Sequence, residues 1–388
     1  MNTYSVLLVS CILTIVGTSE LSMRQLVETN GYPFEEHIIT TEDGFILKTQ
    51  RIPHGRNSNK NNDNPVLLSH GMGGCAENFL MLGPEKALAY QLAENGFDVW
   101  LMNARGNFFS RKHQHLDPDS DIKFWKHSWH EIGMYDLPAN IDYILNVTNH
   151  EKLFYIGHSQ GGTIYYVLTS EKPEYNDKIR MSAQLGPAVF LHLNNNNIGT
   201  ILCEYTDIIE SVSKEFHMIE MVPPTLQLQL KTLCSPSEVK LMCFEGYQML
   251  GGGLGDLTKI KADTISFLFR SSPSGISMYQ FLHYLQNVKS KCFRQYDHGI
   301  SKNLQIYNSS YPPKYNLGLS TAPVLNIYSV KDWFSSERSM KYLSKELPNA
   351  FEYKIARKTF NHLDFIMADD VKELIYDHII NTFTKSLT

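Results

Sequence analysis

Two patterns of apolar residues alternate along the chain. Short, mostly apolar runs recur at Pro65–Ser69, Phe97–Asn103, Leu153–Ile156, Met181–Leu185, Ala322–Val330 and Phe351–Ile355. Runs of this length without polar alternation predict strands buried on both faces. Between them lie stretches with helical spacing: Leu88–Ala93, Trp129–Leu145, Thr163–Leu168 and, after the last strand, Val371–Phe383. That rhythm of strand and helix predicts a mostly parallel sheet with helices on both faces. Ahead of it, Met23–Glu28 reads as a short helix. His37–Ile52 reads as a hairpin, two β-rich runs flanking Glu42-Asp43-Gly44. From about 190 to 310 the rhythm stops, and amphipathic helical stretches break at Pro223-Pro224, Pro236 and Gly251-Gly252-Gly253. This segment is expected to be a helical cap inserted into a core formed by 20–189 and 311–388. Its apolar stripes at Ile208–Phe216, Leu226–Leu233 and Phe267–Phe269 are expected to be, for the most part, core faces of a second helical layer. The glycine run at 251–255 has no preceding strand and no following Lys-Ser/Thr, so it predicts a hinge or loop rather than a phosphate cradle.

Composition changes this picture little. The chain is 43% hydrophobic and 12% aromatic, enough for a large core and contrary to disorder. A net charge of −5 without any basic block argues against nucleic acid as a partner. The amino terminus changes more. Tyr4–Val16 is apolar, too short for a membrane span, and ends in Gly17-Thr18-Ser19, although no Lys or Arg precedes it. Residues 1–19 therefore predict a cleaved signal peptide, and Asn146-Val147-Thr148 and Asn308-Ser309-Ser310 are candidate glycosylation sites on a secretory route. No later segment is apolar enough to span a membrane. With Cys11 removed, Cys75, Cys203, Cys234, Cys243 and Cys292 remain. An odd number leaves at least one thiol free or paired between chains, and one bridge is expected.

The chemistry is concentrated where the Leu153–Ile156 strand runs into Gly157-His158-Ser159-Gln160-Gly161. G-x-S-x-G alone is a common chance match. Between a buried strand and a helix, however, it predicts a sharp turn that lifts a serine hydroxyl above the sheet, beside a helix amino terminus. Gly157 and Gly161 remove the Cβ atoms that would clash there. A serine nucleophile needs a base, an acid to orient the base, and donors for the oxyanion. His70-Gly71-Met72-Gly73-Gly74 follows an upstream strand, so the backbone N–H groups of Met72 and Gln160 are the candidate oxyanion donors. Asp332 follows the Ala322–Val330 strand and His362 follows the next one, giving the order Ser159, Asp332, His362. Asp364 and Asp369 come after the histidine, while Asp98 and Asp136 precede the elbow and read as structural. His70 and His158 are expected to support the oxyanion loop and the elbow, and Cys75 to be a bystander.

With these motifs the chain resembles the acid lipases, the family of lysosomal acid lipase and gastric lipase, and is similar to insect lipases. The resemblance runs from about Ile38 to the end through Thr41–Phe45, His70-Gly71-Met72, Asp98–Asn107, Tyr135–Ala139, Gly157–Gly161, Lys331-Asp332-Trp333 and Asn361–Phe365. It implies an α/β-hydrolase fold and carries the nucleophile, acid and base onto Ser159, Asp332 and His362, and the oxyanion donors onto Met72 and Gln160. It also carries the family's cap disulfide onto Cys234 and Cys243. The chain departs from the family at Phe334-Ser335-Ser336, where a second acidic residue often stands, and in its Asn194–Asn197 run. The function expected is a secreted serine lipase that cleaves esters of neutral lipids, triacylglycerol above all, at a lipid–water interface without metal or organic cofactor. The alternatives are a sterol-ester hydrolase in a lysosome, a soluble short-chain carboxylesterase, and a catalytically silent lipid-binding protein.

Overall fold

The computed structural model describes residues 21–58, 60–194 and 197–387. The signal-peptide reading of 1–19 lies outside these residues, as do Asn195 and Asn196 of the asparagine run. One eight-stranded sheet runs through the molecule in the order β1-β2-β4-β3-β5-β6-β7-β8. The strands are β1 (Glu35–Thr40), β2 (Ile46–Ile52), β3 (Asn64–Ser69), β4 (Phe97–Leu101), β5 (Leu153–His158), β6 (Ile179–Leu185), β7 (Val324–Tyr328) and β8 (Ala350–Lys354). β2 is antiparallel to both its neighbours, β1 and β4; from β4 to β8 every pairing is parallel. This is the α/β-hydrolase arrangement.

The unbroken apolar runs have a direct structural cause. Successive residues of a strand face opposite ways, so a strand covered on both sides needs apolar residues at every position. Val66 and Leu68 of β3 and Phe154 and Ile156 of β5 join one core, together with Leu88, Leu92, Ile379 and Phe383 from two helices. Leu67 and Tyr155 point the other way, into a second core with Ile141, Ile144, Ile164 and Leu168. A slip of one residue in any central strand would exchange these two sets.

Charge is buried where it ties elements together. The Arg105 side chain is almost wholly enclosed and donates to Asp136 Oδ1 (2.7 Å) and to both Asp43 oxygens (2.6 and 2.8 Å). It thereby pins the β1–β2 turn to the loop after β4 and to the helix Leu137–Thr148. Asp98 is paired with Arg51 at 2.8 Å and receives the Trp100 indole N–H. Both early aspartates are structural.

Among the described residues, seven α-helices between β6 and β7 lie within residues 190–310: Asn197–Glu204, Thr206–Glu215, Pro224–Leu233, Ser237–Leu250, Ala262–Ser271, Met278–Ser290 and Ile300–Tyr307. A Cys234–Cys243 disulfide links the end of the third to the middle of the fourth. The insertion is rooted on the core by its 270–277 segment: Arg270 pairs with Glu77, Ser274 N–H donates to Gly73 O (2.7 Å), and Ser277 Oγ donates to Trp125 O. Its apolar stripes divide. Leu268 and Phe269 enter the first core, whereas Ile208, Val212 and Phe216 (71% exposed) form an outward row, with Leu228 and Leu233 also exposed. For the stripes on the second and third helices the expectation of core faces is thus overturned. Periodicity marks a face as apolar without marking what covers it.

Candidate active site

β5 is buried along its whole length and leads into Ser159, whose backbone (φ +54°, ψ −112°) lies in a region that non-glycine residues rarely adopt. The helix Gln160–Glu171 starts immediately after it. The turn closes because glycine surrounds it: a Cβ on Gly157 would lie 2.6 Å from Gly161 C, one on Gly161 would lie 2.4 Å from Ser69 O, and one on Gly162 would lie 2.6 Å from Pro187 Cβ. Ser69 O is backbone in the sheet and cannot yield. Gly161→Ala is therefore expected to destabilise the fold by about 2 kcal/mol or more, read as a lowered midpoint in urea unfolding. An unchanged midpoint would contradict this packing.

The loop after β3 meets the elbow from the other side. A Cβ on Gly71 would stand 3.0 Å from Ser159 Cβ, so the loop's backbone runs against the elbow, with Met72 and Gln160 each one residue from this contact. His70 holds the loop. Its Nε2 accepts the Ala104 N–H (3.1 Å), which leaves Nδ1 as the donor to Gly71 O (2.8 Å). Burial lowers the His70 pKa to about 4, so the ring stays neutral. His158 donates from Nε2 to His362 O (3.2 Å), and burial, with the neighbouring His362, lowers its pKa to about 3.

Asp332 and His362 come from the loops after β7 and β8 and meet: His362 Nδ1 and Asp332 Oδ2 are 2.8 Å apart, both side chains buried. The carboxylate is held on every side. Oδ1 accepts N–H groups from Phe334 (2.7 Å) and Ser335 (3.1 Å), and Oδ2 also accepts the Ser335 hydroxyl (2.6 Å). Burial raises the Asp332 pKa, but His362 and these donors outweigh it and the net direction is down. Phe334 and Ser335 thus clasp the acid. Gly186, at φ +58°, lets β6 pass close by, since a Cβ there would be 2.8 Å from Asp332 Oδ2. His362 Nε2 is buried and has no hydrogen-bond partner among the described residues, Ser159 Oγ included. Catalytic hydrogen bonds of this kind often tighten only with substrate present.

The rival groups have other duties. Asp364 pairs with Arg357 and accepts the Asn361 N–H (3.0 Å); Asp369 is held by Lys86 and Lys261. Burial pushes the Cys75 thiol up to about 12, which makes it inert at neutral pH. The glycine run read from the sequence as a hinge or loop has a place that the sequence did not reveal. Gly252 lies directly on His362, where a Cβ would be 2.2 Å from His362 Cβ. Three consecutive glycines were the available signal, because they permit a backbone to press on a neighbour.

A sequence model described as the α/β hydrolase fold matches residues 64–366, and one described as a partial α/β-hydrolase lipase region matches residues 23–83. The chain belongs to the α/β-hydrolase fold family. Within that family it is 37% identical to Lipase 1 of Drosophila melanogaster, over 95% of this chain and 80% of that one. It is 32% identical to human gastric triacylglycerol lipase (95% and 93% covered) and 33% identical to human lysosomal acid lipase/cholesteryl ester hydrolase (95% and 92% covered). Among solved structures, a thermophilic esterase from Thermogutta terrifontis superposes with a TM-score of 0.51 at 13% identity, covering 91% of this chain and all of that one, a likeness of fold. This α/β hydrolase is an ester hydrolase of the lipase group. No helix among its described residues is long and apolar enough to cross a membrane.

Proposed function

We propose that the protein is a secreted serine lipase that hydrolyses esters of neutral lipids, triacylglycerol first, with Ser159 as nucleophile, His362 as base and Asp332 as the orienting acid. The observation that carries this reading is the buried His362–Asp332 pair, whose second imidazole nitrogen is unengaged beside the strained Ser159 turn. Ser159 Oγ attacks the ester carbonyl carbon while its proton passes to His362 Nε2. The carbonyl oxygen, now an anion, takes hydrogen bonds from the Met72 and Gln160 N–H groups. The C–O bond to the alcohol then breaks, and the leaving oxygen receives the proton from His362. Water repeats the sequence on the acyl-enzyme and releases the fatty acid. Throughout, Asp332 keeps the proton on Nδ1 and stabilises the imidazolium.

The substrate assignment draws on the named activity of the gastric relative and on the outward apolar row Ile208, Val212 and Phe216, which suits a lipid–water interface. The lysosomal relative's name favours sterol esters as a second reading, in a lysosome rather than outside the cell. Asn146 and Asn308 are exposed, and we assign N-glycans to both. A rate that rises abruptly as tributyrin passes its solubility limit supports the lipase; a smooth hyperbola through that limit would leave a soluble short-chain carboxylesterase.

The acid limb of the pH profile follows from the same geometry. His70 and His158 stay neutral down to about pH 4 and 3, so neither gains a proton between pH 7 and 5. Loss of activity in that range therefore owes nothing to either of these rings. Asp364, whose pKa burial raises to about 6 against the pull of Arg357, does change its charge there.

A further inference from the structure

The acid and the base sit on separate loops, joined within the core by the His362–Asp332 hydrogen bond, by Ser329 Oγ, which donates to Phe360 O (2.5 Å), and by the Phe334 ring against His362. The insertion ties the same two loops together from outside the core. Two consecutive carbonyls of its glycine loop each accept one hydrogen bond: Gly252 O from the Trp333 N–H (3.4 Å) and Gly253 O from Asn361 Nδ2 (2.7 Å). Trp333 is the residue after Asp332, and Asn361 is the residue before His362. The contact is as close as backbone allows. A Cβ on Gly253 would lie 2.6 Å from Trp333 Cε2, and one on Gly255 would lie 2.5 Å from Asn361 Nδ2. Gly252 and Gly253 have φ of +121° and +100°, which a side chain would oppose.

Asn361 is fully buried and spends its whole amide on this junction. Oδ1 accepts the Asp364 N–H (3.0 Å), while Asp364 Oδ2 accepts the Asn361 N–H (3.0 Å), so the two residues close the histidine loop reciprocally. Nδ2 is left to reach the insertion. We propose that Asn361 is a positioning residue that buckles the histidine loop to the insertion's glycine loop, so that the seat of the insertion and the alignment of His362 on Asp332 are set together. The proposal rests on the reading that His362 and Asp332 carry the proton transfer. A misplacement of about 1 Å in such a pair costs on the order of 100-fold in rate. The cost falls on kcat, since Asn361 is fully buried with its amide engaged by Gly253 and Asp364.

Full-length Asn361→Ala is compared with wild type on a soluble short-chain ester, with the proton NMR resonance of the His362 Nδ1–H bond to Asp332 and the thermal midpoint recorded for each. The expected result is a fall in kcat of about 100-fold with KM within about threefold, and loss or displacement of the downfield resonance. Gly253→Ala leaves residue 361 unchanged but pushes the glycine loop off Trp333, and with it the Gly253 carbonyl to which Asn361 donates; it is expected to reproduce both effects, so the test stands if the first variant does not fold. A kcat within twofold of wild type and an intact resonance in a folded variant would overturn the proposal. So would a lowered thermal midpoint with unchanged kcat and resonance, which is what a purely structural residue gives. His362→Ala serves as the control for the underlying reading: if that variant stays active, the assignment of the base fails, whereas an inactive His362→Ala beside an active Asn361→Ala defeats the positioning role alone.

Discussion

Ser159→Ala lowers kcat on any ester by about 10⁶-fold, the largest effect expected of any single substitution in this chain. Alanine removes one oxygen and leaves the elbow as it is, since the neighbouring backbone and the close approaches of Gly157 and Gly161 are untouched. Binding is therefore expected to survive, with KM within a few-fold. Covalent labelling by a fluorophosphonate, which needs the serine oxygen, disappears completely. A variant that keeps even one-hundredth of the wild-type kcat would mean that another group attacks the ester. Cys75, the nearest thiol in sequence to the oxyanion loop, is too buried and too weakly acidic to take that place.

Asp332→Asn is expected to cost about 10⁴-fold in kcat, although it changes no shape. The two backbone donors from Phe334 and Ser335 fix an oxygen at the Oδ1 position, so the new amide nitrogen must occupy the place of Oδ2. It then points an N–H at His362 Nδ1. The imidazole answers by moving its own proton to Nε2, the nitrogen that has to accept the serine proton, and the base is lost. Steady-state kinetics measure the loss. A loss of less than tenfold would mean that Asp332 does not orient the base.

Much of this was legible in the sequence because strands covered on both faces leave a distinct mark. The runs at Pro65–Ser69, Phe97–Asn103 and Leu153–Ile156 located β3, β4 and β5 to within a residue or two, and the Glu42-Asp43-Gly44 turn located the β1–β2 hairpin. Chain order singled out Ser159, Asp332 and His362, because each follows a strand and parallel strands end at one edge. What sequence could not supply was coverage. The stripe Ile208, Val212 and Phe216 has the same spacing as a buried face, yet it looks outward. Nor could sequence show that Asp43 has a task beyond its turn, since its partner Arg105 is 62 residues away and is brought to it by the sheet. The Ser335 clasp on Asp332 and the press of Gly252 on His362 likewise arise from loops that meet only after folding. Serine and glycine carry no pattern that announces such contacts.

The central claim is a serine lipase working through Ser159, and its most direct test is hydrolysis of emulsified long-chain triacylglycerol by wild type and Ser159→Ala side by side, at pH 5 and pH 8. Expected is fatty-acid release by the wild type and none by the variant, with the better pH separating lysosomal from extracellular duty. Rapid Ser159-dependent cleavage of soluble short esters with none of triacylglycerol would contradict the lipase reading, and silence on every ester would contradict the catalytic site itself.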